Sequence, residues 1–139
     1  MFSEILSRIL TFFMSIILLL SGGKNDRVQL KIVNTVTSAE SRIEYEMTNK
    51  TGFEVTTGES FTLEKYVDGE WTTDWPGIEG HSVMFNDIAC IILPYGTHKD
   101  SFNLGRFGVF LDEGQYRFSK EYHSVYGVGT VSAVFTVSE

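Results

Sequence analysis

The chain has 139 residues, 42% of them hydrophobic and 21% charged, which fits one packed domain and argues against disorder. Aromatic residues make up 14% and only two prolines are present, a mixture that favours strands over helices. The net charge of −7 leaves no basic stripe for a phosphate backbone and argues against nucleic acid as a partner.

The first 23 residues read MFSEILSRILTFFMSIILLLSGG. Arg8 and the amino terminus charge the front, Ile9 to Leu20 form an apolar run, and Ser21, Gly22 and Gly23 end it with small residues. These are the parts of a secretory signal peptide. Twelve helical residues span about 18 Å, short of the roughly 30 Å hydrocarbon core, but extension back to Ile5 gives an uncleaved tether. Residues 1–23 are therefore expected to be a signal peptide or membrane tether, and residues 24–139 the exported domain. Arg8 would hold the amino terminus in the cytoplasm, so the domain is expected to be secreted or membrane-tethered, touching membrane only through the leader. Leu20-Ser21-Gly22 matches the first three positions of a lipoprotein cleavage box. Gly23 stands where the lipid-carrying cysteine would be, so lipidation there is not possible.

Beyond the leader the apolar residues alternate. Val28, Leu30 and Ile32 mark a first half-buried strand, followed by the polar break TVTSAES. RIEYEMTN sends Ile43, Tyr45 and Met47 one way and its charged residues the other. Asn49 to Gly52 is a turn cluster, and Phe53-Glu54-Val55 a short strand. FTLEKYVDGEWTTDW is a hairpin about Asp68-Gly69, a pair that tolerates positive φ. DIACIIL is a continuous apolar run, which predicts a strand covered on both faces and a buried Cys90 thiol. Pro94-Tyr95-Gly96 turns the chain into HKDSFNL, and GRFGVFL reads as a connection. GQYRFSKEY points Tyr116 and Phe118 inward until the inward phase meets Lys120, whose stem is expected to lie at a sheet margin with its ammonium in water. TVSAVFTV closes the chain with Val131, Ala133, Phe135 and Val137 inward. The expected architecture is all-β: an antiparallel β-sandwich of seven to eight strands, preceded by the hydrophobic leader helix.

LDEGQYRF carries the Asp-x-Gly-x-Tyr spacing with which an immunoglobulin domain enters its F strand. Phe118 stands where that strand places its cysteine, and Cys90 is the one cysteine, so no intramolecular disulfide or Cys-based metal site can form. A disulfide stabilises by about 2–4 kcal/mol. A buried phenylalanine contributes roughly 1.5–3 kcal/mol. Phe118 packed on Tyr45 or Met47 can thus replace the crosslink. Tyr116 takes the corner position, its hydroxyl expected to bond a backbone group near Phe110 to Asp112.

In order along the chain, YEMTNKTGFEVTTGESFTLEKYVDGEWTTDW, FNDIACIILPYGTHKDSFNL and GVFLDEGQYRFSKEY resemble the bacterial immunoglobulin-like domains of exported proteins and lipoproteins in Gram-positive bacteria. The resemblance implies an immunoglobulin-like fold and export, and supplies no catalytic residues.

Chemistry is sparse. His81, His98 and His123 lack metal-ligand or triad spacing and are expected to be solvated residues on loops or strand ends. Asn86-Asp87 reads as a turn rather than a calcium loop. No metal, cofactor or enzymatic activity is expected. The candidate binding residues are aromatic: Trp71 and Trp75 after the hairpin turn, and Tyr122 and Tyr126 bracketing His123 in the last inter-strand loop. Such rings stack on sugars or anchor proteins, and equally fill the ends of a sandwich. The sequence thus predicts a non-catalytic extracytoplasmic binding or structural module at the bacterial cell envelope, its partner a protein or glycan. A proteinase-inhibitor-like β-sandwich is the alternative, and an enzyme would need His, Asp and a nucleophile brought together by the fold.

Overall fold

The structure, a computed structural model, describes residues 27–73 and 89–139. The leader, Trp75, His81 and Asn86-Asp87 lie outside the described residues. Ten strands run in the order β1 (Val28–Ile32), β2 (Val36–Thr37), β3 (Arg42–Asn49), β4 (Val55–Thr57), β5 (Thr62–Val67), β6 (Glu70–Thr72), β7 (Cys90–Ile92), β8 (Thr97–Asn103), β9 (Gly114–Ser124) and β10 (Gly127–Ser138). A single 3-10 turn, Leu104–Phe107, follows β8 among the described residues.

The strands form two sheets. The smaller is β1-β3-β8, antiparallel throughout. The larger follows β2-β10-β9-β4-β7, with β5 pairing β9 beside β4 and β6 pairing β5. The long hairpin of β9 and β10 is its spine, in register from Gly114↔Val137 to Ser124↔Gly127. Alternation sends every second side chain into the gap between sheets. Val28, Leu30, Ile43, Tyr45 and Met47 enter from the smaller sheet. Leu63, Tyr116, Phe118, Tyr122, Val131, Phe135 and Val137 meet them from the larger. The result is an all-β sandwich of the expected class.

Some expectations change. Ten strands are present among the described residues, against the seven to eight expected, the excess being pieces of two or three residues. The break TVTSAES contains β2, which pairs parallel with the end of β10 and buries Val36. Two residues with one apolar side chain carry no period, so no local pattern marks it. GRFGVFL is a connection, yet Val109 and Leu111 within it are fully buried. In DIACIIL the described strand is only Cys90–Ile92, at the end of the larger sheet's path. Ile92 is buried, whereas Ile91 is 58% exposed and Cys90 half-buried. A continuous apolar run describes a strand covered on both faces, but here one face is open, and composition alone does not distinguish the two.

The hairpin turn matches its sequence: Asp68 and Gly69 have φ of 51° and 84°, the paired left-handed conformation of a two-residue hairpin loop. Gly129 serves a different purpose. A Cβ there would collide with the Tyr122 ring on the neighbouring strand, so its absence lets that ring lie inward.

Candidate functional site

The corner expected from the Asp-x-Gly-x-Tyr spacing is present without a cysteine. Tyr116 is fully buried, and its hydroxyl donates to the Asp112 carbonyl oxygen at 2.8 Å. Burial and the nearby Asp112 carboxylate push its pKa up to about 12. Phe118 is fully buried, its ring 5.2 Å from Tyr45 and 4.8 Å from Phe61. These rings join the two sheets where an immunoglobulin domain would place a disulfide.

Among the described residues, the aromatic binding candidates do not converge. Trp71 lies on the outer face of the larger sheet, 5.1 Å from the Tyr66 ring, with the Arg117 guanidinium 4.9 Å over it. Arg117 is itself held by a two-pronged hydrogen bond to Glu64, both at 2.9 Å. Tyr122 and His123 belong to β9 rather than to a loop, and Tyr122 is buried at 4% exposure. Its inward position in the long hairpin leaves little surface to offer a partner. Tyr126 is half-exposed in the two-residue turn between β9 and β10. Seven residues of extended strand separate Arg117 from Ser124, about 23 Å, so Trp71 and Tyr126 serve different surfaces.

Around Tyr126 an exposed apolar end assembles that the sequence did not announce. Phe53, which the sequence placed in a strand, precedes β4 and meets Tyr126 edge-on at 5.9 Å. Arg27 stacks its guanidinium 4.0 Å over the Tyr126 ring. Val125 and Val128 are exposed beside it in the same hairpin, and Tyr95 is 75% exposed. Tyr95 is tied to this end because its N–H donates to the Thr51 carbonyl. The ring sits on a left-handed residue, φ 57°, which turns the chain from one sheet to the other.

Asn49 fixes that crossing. It is fully buried, and its amide nitrogen donates to the carbonyls of Phe53, Ile92 and Leu93 at 2.7, 3.1 and 3.2 Å. Its oxygen accepts from the N–H and hydroxyl of Thr51. The turn cluster seen in the sequence is therefore a buried polar tie from β3 in one sheet to β7 in the other.

A third group of side chains closes the seam between β7 and β8. Cys90 Sγ lies 3.3 Å from His98 Nδ1, and His98 Nε2 lies 3.9 Å from Asp100 Oδ2. Tyr45 packs its ring edge-on against the imidazole at 6.2 Å. Lys120 enters from β9, only 1% exposed, and donates to the carbonyls of Gly58 and Ser60. Its ammonium sits 5.4 Å from the Tyr45 ring centre. Burial lowers the Lys120 pKa, while Asp100, Glu59 and Cys90 act in the opposite direction. Burial, with Asp100, Cys90 and Glu59, raises that of Tyr45. Two expectations are corrected here. The Lys120 ammonium is not in water, because β9 is central and its inward face is covered. His98 is not a solvated loop residue, because it pairs with Met47 across β3 and faces the gap. One signal was available: Cys90 and His98 are equidistant from Pro94, so a fold-back there brings them together.

Elsewhere a depression of 430 Å³ lies beside Arg42, Asn103 and Arg106, but Arg42 is engaged with Glu44 at 3.0 Å. Among the described residues no group of three or more His, Cys, Asp and Glu side chains is arranged to hold a metal ion. Compared with known proteins, residues 24–136 match a family model described as a bacterial Ig-like domain. A search of curated proteins finds no match.

Proposed function

The chain belongs to the bacterial Ig-like domain family, and from that premise we propose that it is a non-catalytic module that works outside the cytoplasm at the cell envelope and docks a protein partner through its Tyr126 end. Residues 1–23 would deliver it there, as a cleaved signal peptide or a retained tether.

The observation that carries this reading is the half-exposed ring pair Tyr126 and Phe53 under the Arg27 guanidinium. Tyrosine and arginine are enriched where binding energy concentrates, and exposed apolar neighbours such as Val125 and Val128 add area that water leaves on contact. A glycan would use the ring faces, but Arg27 already covers one face of Tyr126. A protein surface suits the mixture better.

The test is a pull-down from envelope extract with the mature domain as bait. A specific protein should be captured, and Phe53→Ala with Tyr126→Ala should lose it while the melting temperature stays within a few degrees. Retention by cell-wall glycan in place of protein would move the reading to a glycan binder. Equal capture by both baits would remove this end from the interface. Mass spectrometry of the exported protein should find Lys24 at the amino terminus, whereas an intact leader would make it a tether.

A further inference from the structure

Cys90 is the one thiol of the chain, and the fold does not leave it alone. It lies on β7, at the end of the larger sheet's path, with exposed Ile91 beside it. His98 and Asp100 come from β8, the edge of the smaller sheet, and both lie on the inward side because they pair with Met47 and Tyr45. The thiol, imidazole and carboxylate thus bridge the two sheets in sequence, from β7 in the larger to β8 in the smaller. The Nε2–H tautomer leaves Nδ1 free to accept from the thiol and points its N–H towards Asp100. Among the described residues, Tyr45 on β3, Lys120 on β9 and Glu59 between β4 and β5 are the other charged and titratable groups around it.

We propose that Cys90 is a thiol–disulfide exchange site that takes a low-molecular-weight disulfide, with His98 as the base for the thiol proton and Asp100 as the residue positioning the imidazole. In the step, the Sγ proton moves to His98 Nδ1 and the sulfur attacks one sulfur of the incoming disulfide. The incoming S–S bond breaks, a new S–S bond to Cys90 forms, and the other sulfur departs as a thiolate. Cys90 is oxidised and the departing sulfur reduced, so the incoming disulfide is the only oxidant. The imidazolium then faces the Asp100 carboxylate. Attack on sulfur develops no oxyanion, so the site needs no converging N–H donors of the kind acyl transfer requires. The product is a stoichiometric mixed disulfide, compatible with a binding module that turns nothing over. It depends neither on the docking surface nor on cellular location.

The experiment treats the purified domain with oxidised glutathione and follows intact mass against time from pH 6 to pH 9.5. One glutathione adduct should form on the folded protein, and none on Cys90→Ser. His98→Gln should react roughly tenfold more slowly at pH 7, the low end of what a positioned base contributes. That gap should close above pH 9, where a free thiol ionises without help. Asp100→Asn should slow the reaction less. The urea-unfolded wild type keeps the same cysteine without the base, so the folded chain should outpace it at pH 7 even if a variant fails to fold. Equal rates for folded and unfolded chains, equal rates for wild type and His98→Gln at all pH, or reaction only in denaturant would each overturn the proposal.

Discussion

The two halves of β9 face the same interior with different chemistry. In the first half, Tyr116 stacks near Phe135 at 5.8 Å, and Phe118 lies between Tyr45 and Phe61. In the second half, Lys120 takes the next inward position and is as deeply buried as either ring. What changes between them is the neighbouring strand. β5 pairs with β9 up to Ser119, and β4 takes over at Tyr122. Between these two strands the chain from Gly58 to Phe61 leaves the ladder, so its carbonyls lack strand partners. An unpaired buried carbonyl is costly, and Lys120 supplies donors to two of them. Where one partner strand continues, apolar packing suffices. Where it changes, a polar group is required.

That contrast is sharpest if Phe118 is removed. Phe118→Ala should destabilise by about 3–5 kcal/mol, because it empties the meeting point of both sheets and nothing polar nearby can fill it. Urea unfolding measures this directly, and a loss below about 1 kcal/mol would contradict the packing role of the ring. Asn49→Ala should come next, near 3 kcal/mol, since the N–H and hydroxyl of Thr51 and three carbonyls lose their shared partner in a buried site. A loss as small as that of an exposed turn asparagine would show that the crossing holds without it.

The sequence made the apolar half legible and the polar half mostly illegible, for a physical reason. Alternation reports which side chains are inward when both faces of a strand differ, so β1, β3, β9 and β10 could be read, and with them Tyr116 and Phe118. Lys120 was seen as an interruption of phase, but the cause, a change of neighbouring strand, is a matter of pairing that no local pattern contains. Asn49 looks like any turn asparagine because its partners at Thr51 and Phe53 are local, while those that tie the sheets, Ile92 and Leu93, are more than forty residues away. Residue type alone marks Tyr122 and Tyr126 as equals, and type does not say that Tyr122 turns inward while Tyr126 turns out. Pro94, midway between Cys90 and His98, hinted that they meet, but the change of sheets at Tyr95 that brings them together is set by tertiary pairing.

A smaller effect is expected at the corner. Tyr116→Phe keeps the ring and deletes the hydroxyl that bonds Asp112, so the loss should be about 1 kcal/mol near neutral pH. Its pH dependence has a definite sign. The folded pKa, about 12, lies above the usual 10, so the contribution of the native phenol is complete below pH 10 and disappears as pH rises towards 12. Tyr45 and Tyr122 are raised as well, chiefly by burial, so wild-type stability should decline above pH 10 and decline less steeply in Tyr116→Phe. Parallel declines would mean that this hydroxyl ionises as freely when folded as when unfolded.

The smallest effect near neutral pH is expected from Lys120→Met, although Lys120 is buried as completely as Phe118. Methionine keeps much of the stem's volume and removes a desolvated ammonium, which favours folding, while the Gly58 and Ser60 carbonyls lose their donor, which opposes it. The two effects should leave a net change within about 1 kcal/mol at pH 7. Alkali separates them. Burial lowers the folded pKa of Lys120 below the usual 10.5, so the unfolded chain holds more protons than the folded one between those two values. Across that window the lysine term raises wild-type stability as pH rises, and the methionine variant lacks the term. Urea unfolding at pH 7 and pH 10 should therefore show the balance moving towards the wild type at the higher pH. A difference that stays constant would place the ammonium in water, and the second half of β9 would then be closed by something other than a lysine capping the break between two strands.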